Sequence, residues 1–310
     1  MRVAIIMIDK PTLIHNKNNV IVLAIMSITA LLCLGMLIYD RVHIKNLAFD
    51  GGLAYQYVQY QIELGPRVIG NDAHDNAVNW IREELTNHGW EVSIQDGTRL
   101  GIDVHNIIAK RGEGVEWFIL GAHYDSRSMA DEDADPSMRT EPVPGANDGA
   151  SGVAVLLELS RIIPEKLDKQ VWLVFFDAED DGNIHGKDWI LGSQEFVARL
   201  EDKPTSVIII DMIGDSDLNI YLERNSDPTL SMEIWEVASR LGYSDIFIPE
   251  YKYRILDDHI PFLRTGIPAV DIIDFDYPYW HTTEDTIDKV SPESLSIVGN
   301  TLMYWLESKK

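Results

Sequence analysis

Two stretches of this chain, Val171–Phe176 and Ser206–Asp211, run almost without polar interruption for the length of a strand and then meet acids. A strand that is apolar on both faces cannot lie at a surface, so it must be covered above and below. That requirement limits the fold more than any other feature. Further strand signals occupy His105–Lys110, Val115–Gly121 and Pro268–Ile273. Helical signals lie between them. Asn71 or Asp72 can cap a helix whose apolar residues Ala77, Val78, Ile81 and Leu85 recur at helical spacing, and Gly89 can end it. Gly149–Ile162 reads as a buried helix. Ser291 and Pro292 start a last one with Leu295, Val298, Leu302 and Leu306 on one face. Alternating strands and helices imply an α/β fold of three layers, α/β/α, around a central mixed, mostly parallel sheet.

Sites in such sheets form beyond the carboxyl ends of the strands. Polar residues collect there. His123 and Asp125 follow the second strand, and Asp148 sits in a small-residue turn before the buried helix. Asp177, Glu179, Asp180 and Asp181 follow Phe176, Asp211 ends another apolar run, and His281 follows the strand near Pro268–Ile273. Each has an ordinary reading alone: a structural histidine, a helix cap, a solvated acidic loop. Together they place imidazole and carboxylate donors without thiolate at one end of one sheet, a set that suits zinc, with one or two ions. Glu179 is then a spare carboxylate for general-base work. Asp131–Asp135 lacks the glycine and terminal glutamate of a calcium loop and reads as a solvated loop.

Composition sets the partners. With 26 Lys+Arg against 50 Asp+Glu the net charge is −24, which repels phosphate backbones and excludes nucleic acid as a partner. The single Cys excludes an intramolecular disulfide framework. Val20–Tyr39 carries no charge, and at 1.5 Å per residue it covers about 30 Å, the thickness of a bilayer core. No small-residue cleavage site follows it. The expected organisation is a tail over 1–19, a transmembrane anchor over 20–39, a linker over 40–50 and a catalytic domain over 51–310. Arg2, Lys10 and Lys17 precede the span, a basic bias that places the domain outside the cytoplasm on a single-pass membrane protein.

The ordered segments GAHYDS, PGANDGASG, FFDAED, IIDMIG, DDHIPF and YWHTTEDT resemble the zinc-dependent exopeptidase family of bacterial aminopeptidases, whose fold the animal glutaminyl cyclases share. The likeness runs from Leu64-Gly65-Pro66-Arg67 to the final helix. It implies that His123 and Asp211 serve one metal, that Asp148 bridges to a second, and that Asp180 and His281 complete that second site. Asp180 stands where the family usually has glutamate. The resemblance further implies that Asp125 orients His123, that Glu179 is the general base, that Asp258 is an active-site aspartate and that the Asp148–Gly149 peptide is cis. Trp280 precedes His281 as in the cyclases and is placed to stack on a substrate side chain.

Two activities fit these residues. In an aminopeptidase, which family grounds put first, Glu179 activates a water that cleaves the N-terminal residue from a peptide. In a glutaminyl-peptide cyclotransferase, the α-amine of an N-terminal glutamine attacks its own amide. Both take peptides with a free N-terminus. The stretch Asp257–Arg264 and Trp280 look like the cyclases, whereas His281–Thr286 looks like the peptidases. A catalytically inert receptor-type domain is the third reading, and the retention of all five ligand positions and the base argues against it.

Overall fold

Both uncharged runs become interior strands. The computed structural model describes residues 48–309. Six strands form the main sheet: β1 (Glu91–Arg99), β2 (Ile102–Arg111), β3 (Trp117–His123), β4 (Gln170–Phe176), β5 (Ser206–Asp211) and β8 (Ala269–Ile273), in the order β1-β2-β4-β3-β5-β8. The β4–β3, β3–β5 and β5–β8 pairings are parallel, and the β1–β2 hairpin joins β4 antiparallel. The sheet is therefore mixed and parallel through its centre, as expected. A small parallel pair, β6 (Ile220–Leu222) and β7 (Phe247–Tyr251), stands apart from it.

Every residue of β3, β5 and β8 is buried, and successive side chains enter different cores. Phe118, Leu120 and Ala122 of β3, with Ile208 and Ile210 of β5, face the larger core. That core is closed by α1 (Gly51–Leu64), α2 (Asp72–Asn87), α3 (Ala150–Ile162), α5 (Pro228–Arg240) and α7 (Pro292–Ser308). Trp117, Ile119, Val207 and Ile209 face the other side, against Phe196 of α4 (Leu191–Ala198) and Phe262 of α6 (His259–Arg264). These are the three layers that the double-faced strands demand.

Local signals act as the sequence indicates. Asn71 accepts from the His74 N–H and starts α2, and Gly89 lies just beyond its end with φ of 79°. Ser291 caps α7 with Pro292 at its first turn. Two strands shift most: β2 starts three residues early, at Ile102, and β3 begins at Trp117, because Val115 is almost fully exposed, and runs on to include His123. The expected span at 20–39 lies outside the described residues. Among those described, no helix is long and apolar enough to cross a membrane.

The connections place the site. The chain leaves β3 for α3 on one face of the sheet, and leaves β4 for α4 on the other. Such a divergence opens a crevice at the carboxyl ends of adjacent strands.

Candidate active site

His123, the final residue of β3, is held in register opposite Phe176 of β4. Asp148 lies on the turn before α3. That helix begins at Ala150 with Gly149 as its N-cap and no side-chain capping bond, so Asp148 is not a helix cap. Its Oδ1 lies 3.0 Å from His123 Nε2, and its Oδ2 lies 3.8 Å from His281 Nε2. Asp211, the last residue of β5, puts Oδ1 3.2 Å from the same His123 nitrogen. Asp180 Oδ1 lies 3.0 Å from His281 Nε2. Two groups result, His123/Asp148/Asp211 and Asp148/Asp180/His281, each with its donor atoms within 4.8 Å of one another and with Asp148 in common. All five residues are buried.

The donor set fits a metal. Tetrahedral bonds of about 2.0–2.1 Å put neighbouring donor atoms roughly 3.3 Å apart, and three of the four separations lie within a few tenths of an ångström of that. Asp148 Oδ2 and Asp180 Oδ2 are buried without a hydrogen-bond partner, a costly state for a carboxylate that has no cation to face.

The electrostatics agree. Burial, reinforced by Asp148 and Asp257, pushes Asp211 up to about 7. Burial likewise holds Glu179 and Asp180 well above the usual carboxylate range. Burial also lowers His281 to about 3, so its imidazole is neutral and its lone pair free. Burial opposes charge on His123 too, but hydrogen bonds to Asp125, Asp148 and Asp211 outweigh it and raise that group well above its ordinary value. Alone, the site retains protons; a dication would displace them.

The loop after β4 is pinned from beneath. Asp125 accepts the backbone N–H groups of Glu179 and Asp180, each at 3.2 Å, and its Oδ1 sits 3.5 Å from His123 Nδ1. One carboxylate thus ties the expected base to two expected ligands. Ala178, Met212 and His281 all adopt positive φ, of 55°, 45° and 57°. Each is a site residue or adjoins one, so the strain falls where side chains are being aimed. The close approach of the turn to His123 requires glycine. A Cβ at Gly149 would lie 2.6 Å from His123 O and 2.7 Å from His123 Cε1.

Over these residues lies a cavity of about 220 Å³. Glu179, Asp257, Trp189, Phe275 and Trp280 are among its walls. The Trp280 ring stacks on His281 at 3.6 Å between centroids, and Trp189 lies nearly parallel to the same imidazole at 5.8 Å.

A model of peptidase family M28 matches residues 106–306. The chain belongs to this family. The glutaminyl-peptide cyclotransferase of Drosophila melanogaster is 26% identical over 274 residues, 75% of each chain. The crystal structure of Porphyromonas gingivalis glutaminyl cyclase superposes with a TM-score of 0.81 at 33% identity, covering 86% of this chain and 100% of that one. A Zn-dependent exopeptidase from Parabacteroides distasonis superposes with a TM-score of 0.80 at 31% identity, covering 84% and 99%. M28 relatives of this chain thus include both cyclases and exopeptidases.

Three expectations shift within this M28 site. The Asp148–Gly149 peptide is trans, not cis. The chain turns instead at Gly149, with φ −5° and ψ −18°, and keeps the isomer that is favoured by about 2.5–4 kcal/mol. Asp257, rather than Asp258, lines the cavity, while Asp258 is fully buried just before α6. The Asp131–Asp135 segment is not simply solvated: Asp131 pairs with Arg127, and buried Asp133 accepts from the Thr283 N–H and hydroxyl.

Several supporting residues escaped the sequence reading. Asp285 accepts the backbone N–H groups of Asn147 and Asp148, at 2.9 and 3.1 Å, and so aims the shared aspartate. Buried Arg127 binds the carbonyls of Asp180 and Gly182. Arg67, also buried, binds those of Tyr124, Pro144 and Gly145. Behind the cavity, His259 lies between Glu223 at 3.3 Å and Asp271 at 3.9 Å. Asp177 and Asp181 turn to His74 and Lys187, away from base duty.

Proposed function

We propose that the chain is a glutaminyl-peptide cyclotransferase, closing an N-terminal glutamine to pyroglutamate with release of ammonia. The observation that carries this reading is which residues wall the cavity above Glu179. Asp257 and Trp280, from the two stretches that look most like the cyclases, are in the wall. Of the peptidase-like stretch His281–Thr286, only the ligand position His281 is in the wall; beyond it, Thr283 is bound to Asp133, and Asp285 to the backbone of residues 147 and 148. That is scaffolding either reaction needs. The cyclase relatives are in keeping with it, as the exopeptidase relatives are with the second reading below.

Asp148, Asp180 and His281 would hold zinc, and His123 and Asp211 offer a place for a second ion. The metal, when bound, supplies Lewis acidity for polarising the amide carbonyl. The chain's own residues do the rest. Glu179 accepts a proton from the α-amine as that nitrogen bonds to the side-chain amide carbon. It returns the proton to the amide nitrogen as the C–N bond breaks, so ammonia leaves and a five-membered lactam remains. Asp125 keeps Glu179 in place through the backbone. Trp280, Trp189 and Phe275 enclose the glutamine side chain and limit the entry of water that would otherwise compete.

Aminopeptidase action is the second reading, favoured by the exopeptidase structure that superposes equally well. Glu179 would then take its proton from water. Incubating the full chain and zinc with one peptide starting in Gln and one starting in Leu separates the two. Loss of ammonia from the first alone supports the cyclase; shortening of either peptide overturns it. We also propose that residues 20–39 anchor the protein in a membrane with the domain outside the cytoplasm, on the strength of their uncharged composition. Release of the full chain by high salt would sink that proposal.

A further inference from the structure

A second hollow, of about 510 Å³, adjoins the catalytic cavity. Arg254, Ile255 and Leu256 belong to both, so this ridge presents one side to the cavity and the other to the hollow. Leu263, Arg264 and Asn225 continue its wall, and no carboxylate lines it. In a chain with a net charge of −24, this is an unusually cationic place.

The two guanidiniums are exposed and unneutralised. Among the described residues, the arginines that form ion pairs are Arg99, Arg127, Arg161 and Arg199. Arg254 donates instead to the neutral side chain of Asn225. Leu256, 47% exposed, offers apolar surface beside the charges. On the cyclase reading the N-terminal residue occupies the cavity of about 220 Å³, and the rest of the peptide leaves over its rim.

Resting on the cyclase reading, we propose that this hollow is the subsite for the second and third residues of the substrate, and that Arg254 and Arg264 select a carboxylate there. Two sources supply that chemistry: an acidic side chain, or the terminal carboxylate of a short peptide. The apolar stems of the arginines and Leu256 would pack on the peptide while the guanidiniums pair with the acid.

The test compares kcat/KM of the full chain on amidated Gln-Gly-Gly, amidated Gln-Glu-Gly, amidated Gln-Gly-Glu and Gln-Gly-Gly with a free carboxylate. Exposed ion pairs contribute little, so each engaged guanidinium should favour a carboxylate-bearing peptide by about 2–5-fold at low salt. High salt should erase the preference. Comparing side-chain acids with the free terminus tells which source is preferred. Arg264→Gln should lower the acidic-to-neutral ratio, Arg254→Gln/Arg264→Gln should bring it to one, and Arg254→Gln/Arg264→Glu should invert it in favour of amidated Gln-Lys-Gly. A wild-type ratio at or below one, or a ratio unmoved in the double variant, overturns the subsite. Failure to convert even the neutral peptide brings down the cyclase reading with it, whereas neutral turnover with a flat ratio removes the subsite alone.

Discussion

Replacing Asp285 by Asn tests whether the site is aimed through the backbone. Asp285 is fully buried. Its Oδ1 accepts from the Asn147 N–H and from the Tyr277 hydroxyl at 2.7 Å, and its Oδ2 accepts from the Asp148 N–H. Asn keeps the volume but turns one acceptor into a donor. If its oxygen keeps the two bonds at Oδ1, its amide nitrogen meets the N–H of Asp148. A buried donor left in that state costs about 1–3 kcal/mol. The cost falls on the residue whose carboxylate reaches both histidines. Zinc affinity should therefore drop by about 10–100-fold, the usual effect of losing a partner that orients a ligand. The assay is zinc titration against a competing chelator at pH 8, above the value of about 7 to which burial pushes the Asp285 carboxyl. Tyr277→Phe, which removes a single bond, should do less. Unchanged zinc affinity in Asp285→Asn would refute the claim that this hydrogen-bond pair positions Asp148.

Three other outcomes follow from the same geometry. Glu179→Gln should leave zinc content intact and lower turnover by at least ~10²-fold; full activity in both peptide assays would remove Glu179 as the base. Gly149→Ala pushes a methyl group against His123 and should cost about 1–3 kcal/mol with a loss of bound zinc, and an unaltered melting temperature would contradict that crowding. Asp211, Asp274 and Asp285 are each pushed up to about 7 by burial, so the folded chain holds protons there that the unfolded chain has released. Their stabilisation is complete below about pH 4 and is lost as pH rises through 7. Neutral His281 works in the opposite sense only up to its ordinary value of 6.5. The chelated protein should thus melt lower at pH 8 than at pH 6.5, and zinc should flatten the slope; a melting temperature that rises over this interval would oppose the electrostatic account.

What the sequence revealed was set by how local the signal is. The central strands were legible because burial on both faces leaves an unbroken apolar run, and α7 because Ser291-Pro292 both caps and starts it. The edge strand β1 was not, since half-exposed Glu91–Arg99 carries only a broken alternation. The glycine pair opening α1 hid a helix that Asp50 caps. Asp227-Pro228 starts α5 with the same cap-and-proline signal as Ser291-Pro292. Within the site, strand-end residues such as His123 and Asp211 could be found because topology alone brings strand ends together. Arg67, Arg127 and Asp285 act through carbonyls and N–H groups far along the chain, which leave no trace in local composition. The choice between Asp257 and Asp258 depends on how one short helix begins, and adjacent identical residues cannot reveal that.

The most direct test of the whole account is ammonia release from a Gln-initiated peptide by the full chain, measured before chelation, after it and after zinc is restored. The expected result is one ammonia per peptide converted, a product of unchanged residue count, loss of activity on chelation and its return with zinc. A peptide shortened by one residue, or ammonia release that persists once all metal has been removed, would contradict it.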